Sequence, residues 1–278
     1  MRLITFVSLL ALTGCAIAGL SGSLYQPSSA PPTSPVAGAP ATPVPEPTLA
    51  TVVAPFLHPP DGQISLVVHH LRTGEQVTWQ AEEPRPAASL YKLALLVAVY
   101  GEERRGHLTL AEVLPDGRSV AEGLFDMITW SDNEAALALL RRLGLARVNA
   151  FLAAQGLRQT VIAEEAWTSA ADVARLLVAM ARGQAVDAEA SAAMLALLRQ
   201  QQIRDRLPRY LPPTVPVAHK TGDLPGVRYD AGLVEGPAGP YILVVMLTDL
   251  ADEEAGVEWI ARLSQAVYGY FARLTPRA

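Results

Sequence analysis

The segment from residue 87 to residue 99 is the strongest constraint on the fold, because it is almost entirely apolar and yet contains Lys92. A helix that is apolar on every side lies inside a protein rather than on its surface. A buried ammonium group can lose its proton and act as a base, whereas a guanidinium stays charged. The segment therefore predicts a buried helix with a functional lysine near its start.

Lysine is rare in this chain, since Lys92 and Lys220 are the only lysines among 22 basic residues. Ser89 lies three residues before Lys92, and positions three apart share one face of a helix. Ser89 is also predicted in the first helical turn, where free backbone N–H groups favour developing negative charge. The pair therefore supplies a candidate nucleophile and a candidate base, with the start of an oxyanion hole.

A third polar motif, Ser131-Asp132-Asn133, lies between the two lysines and directly precedes an apolar helical stretch. Ser, Asp and Asn are common first residues of helices, so capping alone explains the motif in isolation. Lys220 opens the tripeptide Lys220-Thr221-Gly222. The order of the three motifs, which uses both lysines, favours a catalytic site over coincidence.

The composition limits the classes of partner. A chain of 278 residues with 50% hydrophobic residues can form one sizeable domain with additional segments. The net charge of -5 gives no indication of a nucleic-acid partner. The single cysteine, Cys15, excludes an internal disulfide framework and a cysteine-based metal site. His69 and His70 are adjacent and point to opposite faces of a predicted strand, so they cannot bind one metal ion together. The sequence implies no metal or organic cofactor.

The first 60 residues differ in composition from the rest of the chain. A short positive start and an apolar stretch, too short for an ordinary membrane span, lead to Leu12-Thr13-Gly14-Cys15. Eleven of the 22 prolines then fall between Pro27 and Pro60. Such a segment cannot form a core, so residues 16–60 are predicted to be an extended tether and residues 61–278 the folded domain.

The folded part is predicted to be an α+β domain, in which an antiparallel sheet is flanked by helices and accompanied by a helical subdomain. Hydrophobic patterning predicts an initial hairpin, a mostly helical middle, three further strands and a terminal amphipathic helix. The predicted strands cover residues 64–71, 76–79, 217–222, 230–234 and 241–247, and the helical regions cover residues 120–199 and 252–274.

Together, the motifs Ser-x-x-Lys, Ser-Asp-Asn and Lys-Thr-Gly resemble those of the penicillin-recognising serine enzymes, which are the class A β-lactamases and the related penicillin-binding proteins. The resemblance covers about residues 64–274 and implies an active site between the sheet and the helical part. Residues 12–15 likewise resemble a bacterial lipobox, which implies that Cys15 is lipidated and that the protein is an extracytoplasmic, membrane-anchored lipoprotein. An uncleaved anchor and a plain secretory signal are the alternatives.

The resemblance assigns catalytic roles to four residues. It implies that Ser89 attacks the β-lactam or D-alanyl carbonyl and that Lys92 takes or relays the serine proton. Ser131 would pass a proton to the leaving nitrogen, and Lys220 would supply positive potential.

The resemblance also assigns substrate contacts. Asn133 would bind the amide side chain of the substrate, and Thr221 beside Gly222 would bind its carboxylate. The backbone N–H groups of Ser89 and Asp223 would form the oxyanion hole. Arg228 lies about where some members place a carboxylate-binding arginine, and a solvated loop arginine is the favoured alternative.

Two departures from the family affect hydrolysis of the acyl-enzyme. Leu137 stands where the family has an asparagine that pins its Ω loop, and only residues 157–167 separate Gly156 from the next helix. Glu164 and Glu165 are the candidate bases for the hydrolytic water. Loss of a general base costs about two to four decades in rate, which predicts slow deacylation. The carboxylate of Asp223 is expected to weaken binding of anionic β-lactams through like-charge repulsion.

Three functions remain open from the sequence. The first is a β-lactamase-type hydrolase, and the second is a D-alanyl carboxypeptidase or esterase with the same serine and lysine. The third is a non-catalytic surface sensor, which has no evident need for Ser89 and both lysines. The protein is expected to be monomeric.

Overall fold

The computed structural model describes residues 47–59 and 61–274 and confirms the predicted α+β fold. The main sheet has five antiparallel strands in the order β2-β1-β7-β6-β5. These strands are β1 (Gln63–His70), β2 (Gln76–Trp79), β5 (Val217–Leu224), β6 (Val227–Gly236) and β7 (Gly239–Thr248). Two short strands, β3 (Arg85–Pro86) and β4 (Trp167–Thr168), pair separately.

Eight α-helices accompany the sheet in the described part of the chain. They are α1 (Leu49–Val53), α2 (Tyr91–Arg104), α3 (Val120–Thr129), α4 (Asn133–Leu143), α5 (Leu145–Ala154), α6 (Ala170–Ala181), α7 (Ala188–Leu198) and α8 (Glu253–Arg273). None of these helices is both long and apolar enough to cross a membrane.

The sheet separates two hydrophobic cores. In β1, Val67 belongs to the core that it shares with α2 and the helical subdomain. Its neighbours Leu66 and Val68 belong to the core on the other face, which includes residues of α1 and α8. This alternation follows from the period of two in a β-strand. The sheet therefore presents one face to the helical subdomain, where α2 lies.

The predicted domain start at residue 61 was wrong, because the structure begins its folded part earlier. Thr48 caps α1 by accepting a hydrogen bond from Thr51 N at 3.2 Å, and Leu49 and Val53 are fully buried. Trp259 of α8 donates to the Phe56 carbonyl at 3.2 Å. Residues 48–54 contain no proline, so a short helix forms inside the proline-rich segment. The predicted signal at residues 1–15, Cys15 and the tether up to residue 46 lie outside the described residues.

Candidate active site

The apolar run around Lys92 forms the central buried helix that the sequence predicts. Ser89 lies in a single 3-10 turn, Ala88–Leu90, which leads directly into α2. Lys92 is the second residue of α2 and is fully buried. The segment thus places the serine at the helix start and the ammonium group one turn later.

The hydroxyl of Ser131 connects all the predicted catalytic groups. Its Oγ lies 3.0 Å from Ser89 Oγ, 3.2 Å from Lys92 Nζ and 2.9 Å from Lys220 Nζ. Lys92 Nζ also donates to the Ser131 carbonyl and to Asn133 Oδ1, both at 2.6 Å. No hydrogen bond joins Lys92 directly to Ser89 within the described residues. The connection from the serine to either lysine therefore runs through Ser131.

The backbone around this hydroxyl is strained. Ser131 has φ +59° and Ala88, the residue before Ser89, has φ +44°. Such conformations cost about 1–3 kcal/mol for non-glycine residues and cluster at functional sites. Asp132 caps α4 by accepting a hydrogen bond from Ala135 N at 2.8 Å. The Ser-Asp-Asn motif therefore both starts a helix and supplies partners to Lys92.

Arg118 holds this turn and was missed by the sequence analysis. Its guanidinium contacts Asp126 Oδ2 at 3.1 Å and Asp132 Oδ2 at 3.4 Å. The Asp126 carbonyl also accepts a hydrogen bond from Asp132 N at 3.1 Å. The Ala135 amide and Arg118 lower the pKa of the Asp132 carboxyl. The turn that carries Ser131 is thus fixed by an ion-pair network that sequence spacing does not reveal.

Burial lowers the pKa of both lysines, so each holds its proton less strongly than a surface lysine does. Burial lowers the pKa of Lys92 from 10.5 to about 8, with a smaller opposing effect of Asp132. Burial, together with the nearby charge of Lys92, lowers the pKa of Lys220 to about 7. A neutral amine is therefore accessible in this site near neutral pH, and a neutral amine can accept a proton.

Gly222 allows the edge strand β5 to approach the nucleophile. A Cβ atom at this position would lie 3.3 Å from Ser89 N and 3.2 Å from Ala88 Cβ. The hydroxyl of the preceding residue, Thr221, is buried and makes no hydrogen bond within the described residues. The roles of Thr221 and Gly222 in substrate binding stay predictions. Two features favour them: β5 lies close to Ser89 at Gly222, and the Thr221 hydroxyl has no hydrogen-bond partner within the described residues.

The sequence predicts an isolated carboxylate at Asp223, whereas the structure pairs this carboxylate with arginines. The Asp223 carboxylate pairs with Arg206, and Arg228 Nε lies 3.3 Å from it. Arg206 is almost fully buried and also donates to the Tyr229 carbonyl at 2.9 Å. Arg228 pairs with Glu253, so its guanidinium is already partnered. The repulsion expected from Asp223 is consequently reduced by two arginines, of which Arg206 was missed.

The candidate bases Glu164 and Glu165 are solvent-exposed and make no hydrogen bond within the described residues. Their loop is nevertheless held without an asparagine at position 137. Asn149 donates to the Ile162 carbonyl at 2.7 Å and accepts from Ile162 N at 2.9 Å. The buried Asp172 accepts from Gln159 N at 2.7 Å. Asn149, which precedes the loop in sequence, was missed because its partner is a backbone group.

A cavity of about 1090 Å³ opens beside Ser89 and is bordered by Asn133, Leu137, Glu164 and Glu165. The described residues contain no cluster of three or more His, Cys, Asp or Glu side chains that could hold a metal ion. The groups that the structure brings together at Ser131 are a hydroxyl nucleophile and two buried amines.

Comparisons with known proteins find solved structures with the same fold. A β-lactamase from Sphaerobacter thermophilus DSM 20745 is 27% identical to this chain, with a TM-score of 0.74. The match covers 82% of this chain and 98% of that β-lactamase. The structure of PBP-A is 28% identical, with coverage of 84% and 100% and a TM-score of 0.76. A PBP-A variant, in an acyl-enzyme complex with penicillin G, is also 28% identical, with coverage of 83% and 99% and a TM-score of 0.77.

Among curated protein sequences, none matches this chain significantly. The model of the beta-lactamase enzyme family, in contrast, matches residues 48–271, which is most of the chain and includes Ser89, Ser131 and both lysines. The chain therefore belongs to the beta-lactamase enzyme family, and it is a serine hydrolase.

Proposed function

We propose that the protein opens β-lactam rings by forming an acyl-enzyme on Ser89, and that it releases the acyl group slowly. The observation that carries this proposal is the position of Ser131 Oγ, within 3.2 Å of Ser89 Oγ and of both lysine Nζ atoms. One hydroxyl can thereby exchange protons with the nucleophile on one side and with a buried amine on the other.

In the acylation step, Ser89 Oγ attacks the lactam carbonyl and a new C–O bond forms. The serine proton passes through Ser131 to a neutral lysine amine. As the C–N bond breaks, Ser131 donates its proton to the leaving nitrogen and recovers one from the lysine. The net change is an ester on Ser89 and a new N–H bond, so both lysines return to their starting state.

The developing negative charge on the carbonyl oxygen requires donors that are already in place. The backbone N–H groups of Ser89 and Asp223 are the proposed oxyanion hole. The close approach of Gly222 to Ser89 N supports this assignment, since it brings β5 beside the turn that carries the nucleophile. Asn133 and Thr221 are proposed to bind the amide side chain and the carboxylate of the substrate.

Slow deacylation follows from the environment of the candidate bases. Glu164 and Glu165 border the cavity but are exposed and make no hydrogen bond within the described residues. A general base must be held within hydrogen-bond reach of the water that it activates. Without such a base, hydrolysis of the ester loses about two to four decades in rate.

Two of the similar structures support a β-lactam as the acyl donor. One is named as a β-lactamase, and the other shows a PBP-A variant as an acyl-enzyme complex with penicillin G. The short loop favours a second candidate, a D-alanyl carboxypeptidase or esterase that uses the same Ser89 chemistry. A non-catalytic sensor would not require the strained turn at Ser131.

We also propose that Cys15 carries a lipid and that the tether holds the domain outside the cytoplasm. The support is the motif Leu12-Thr13-Gly14-Cys15 after a short apolar stretch. Metabolic labelling with a radioactive fatty acid should mark the wild type and leave Cys15→Ala unlabelled. Equal labelling of both would contradict the assignment.

The acyl-enzyme is tested by intact mass spectrometry of the purified protein after brief exposure to penicillin G, followed over time. The wild type should gain one penicillin mass that persists, and Ser89→Ala should gain none. Glu164→Gln and Glu165→Gln, assayed in parallel, should keep the wild-type rate of adduct loss. An adduct that clears rapidly while the drug is consumed would contradict slow deacylation. Absence of any adduct would contradict the proposed function.

A further inference from the structure

The turn between α3 and α4 carries Ser131, and the shape of this turn decides where the Ser131 hydroxyl lies. Ser131 has φ +59°, a conformation that persists in a non-glycine residue only when the surrounding structure holds it. The Asp126 carbonyl accepts hydrogen bonds from Trp130 N and Asp132 N, both at 3.1 Å. Both neighbours of Ser131 are therefore fastened to the last turn of α3.

Three carboxylates meet one guanidinium, that of Arg118, around this turn. Arg118 Nη1 contacts Asp126 Oδ2 at 3.1 Å and Asp132 Oδ2 at 3.4 Å. Its Nη2 contacts Asp116 Oδ2 at 2.8 Å. Within the described residues, no other basic side chain pairs with Asp126 or Asp132. Because one nitrogen contacts both of these carboxylates, they lie close together and would repel each other without the arginine.

The carboxylate of Asp132 links this ion-pair network to the catalytic turn. Its Oδ1 accepts a hydrogen bond from Ala135 N at 2.8 Å and caps α4, while its Oδ2 faces Arg118. Asp132 directly follows Ser131 and directly precedes Asn133. Repulsion between Asp126 and Asp132 would therefore displace the backbone on both sides of Asp132. The Ser131 hydroxyl is sensitive to such a shift, because it must reach the nucleophile and the lysines at the same time.

We propose that Arg118 is a positioning residue that keeps the Ser131 hydroxyl in its place for acylation. It acts through Asp126 and Asp132, and it does not line the cavity beside Ser89. This inference rests on the proposed function, because its consequence is the rate at which Ser89 is acylated. A displacement of about 1 Å at a reacting group costs about 100-fold in rate, and loss of Arg118 should slow acylation by about this factor.

The surroundings of Arg118 allow a missing guanidinium to be replaced from solution. Arg118 borders a surface cavity of about 400 Å³, which is also lined by Ala121, Glu122 and Phe125. Arg118→Ala keeps only the Cβ atom of the side chain, and ethylguanidinium has the same atoms as the part removed. This cation fits beside the carboxylates that the substitution leaves without a partner. Recovery of acylation by ethylguanidinium would separate the loss of one cation from a general loss of structure.

The test follows acylation of the full-length protein by penicillin G, using intact mass spectrometry at several drug concentrations. These data give the limiting rate constant of acylation and the apparent dissociation constant of the drug separately. Arg118→Ala should lower the rate constant by about 100-fold and change the dissociation constant by less than about fivefold. Millimolar ethylguanidinium should recover most of the lost rate, whereas sodium chloride at the same ionic strength should recover none. Arg118→Lys should give an intermediate rate, because its ammonium keeps the charge without the planar fork of donors.

Arg104→Ala is the matched control. Arg104 also joins two carboxylates, those of Asp187 and Glu189, but it lies at the opposite end of α2 from Ser89. This variant should keep both wild-type constants and should not respond to ethylguanidinium.

Four results would overturn the inference and leave the proposed function intact. They are a wild-type rate constant in Arg118→Ala, an equal loss in Arg104→Ala, a loss confined to the dissociation constant, and a loss that neither ethylguanidinium nor Arg118→Lys corrects. Absence of any adduct in the wild type would overturn both proposals.

Discussion

Replacing Lys220 by methionine should make the protein more stable at low pH, at the cost of its chemistry. Lys220 is fully buried, and its pKa is lowered from 10.5 to about 7 by burial and by the charge of Lys92. One pKa unit corresponds to about 1.4 kcal/mol, so the protonated side chain destabilises the fold by about 5 kcal/mol. Methionine fills a similar volume without a charge to bury.

The substitution also removes two hydrogen bonds, to Ser131 Oγ and to the Thr221 carbonyl. Each contributes about 1 kcal/mol, so the net gain below pH 7 is about 3 kcal/mol. Between pH 7 and 10.5 the unfolded wild type binds more protons than the folded one, so its stability rises with pH. The advantage of Lys220→Met should therefore shrink across this window and nearly vanish at pH 9.5.

Lys92→Met provides the internal comparison. The pKa of Lys92 is lowered only to about 8, which corresponds to about 3 kcal/mol. Lys92 also makes three hydrogen bonds, to the Ser131 carbonyl, Ser131 Oγ and Asn133 Oδ1. The two effects nearly cancel at pH 6, so this variant should gain little or no stability.

The assay is urea unfolding followed by tryptophan fluorescence at pH 6, 8 and 9.5 for the wild type and both variants. The chain has four tryptophans to report the transition. A lower stability of Lys220→Met at pH 6, or a difference that does not change with pH, would refute the reasoning. Either result would mean that the fold does not disfavour the charged form of Lys220 as strongly as its burial implies.

Further predictions concern the loop, the sheet and the pH dependence of acylation. Asn149→Ala removes both hydrogen bonds that hold the short loop, which should lower the unfolding free energy by about 1–3 kcal/mol and speed hydrogen exchange in the loop. Gly232→Ala would place a Cβ atom 2.7 Å from a backbone carbonyl oxygen and should destabilise the sheet by about 3 kcal/mol. Gly269→Ala on α8 meets no atom within 4 Å and should stabilise by about 1 kcal/mol, which thermal unfolding can compare. Acylation of Ser89 should accelerate from pH 6 to pH 8 as the lysines, with pKa values of about 7 and 8, lose their protons, and adduct formation that is independent of pH would contradict this.

Features that depend on local patterns could be predicted from the sequence. The helix predicted at residues 252–274 is α8 (Glu253–Arg273), and the strand predicted at residues 64–71 is β1 (Gln63–His70). Each has a regular apolar spacing that reports its own burial. The apolar run around Lys92 likewise predicted its burial, since no surface helix has such a composition.

Features that depend on distant contacts could not be predicted. The link from Ser89 to the lysines runs through Ser131 because its backbone adopts φ +59°, a conformation held in place by Arg118 and two aspartates. Arg206 contacts Asp223 from a segment 17 residues earlier in the chain, whose next residue, Leu207, is buried in the core that includes α8. Helix α1 was hidden in a proline-rich segment, since its burial is decided by its packing against α8.

A final prediction concerns the charge of Asp223. The sequence predicts that this carboxylate weakens binding of an anionic substrate, and its pairing with Arg206 makes the expected effect smaller. Asp223 is 40% exposed and paired with Arg206, so its carboxylate both repels an anionic substrate and occupies a guanidinium. Asp223→Asn removes the repulsion and frees the arginine, and both changes favour an anionic ligand. Interactions between exposed charges contribute about 0.2–1 kcal/mol, which corresponds to an increase of about 1.4-fold to fivefold in the acylation rate constant with penicillin G. The neutral methyl ester of the same drug should show no increase, and high salt should diminish the gain with the anion. Glu235→Gln, which removes an equally exposed carboxylate paired with Arg199, is the matched control and should change neither rate. A loss of rate with both substrates in Asp223→Asn would instead mean that the carboxylate is needed to hold Arg206 and the end of β5 in place.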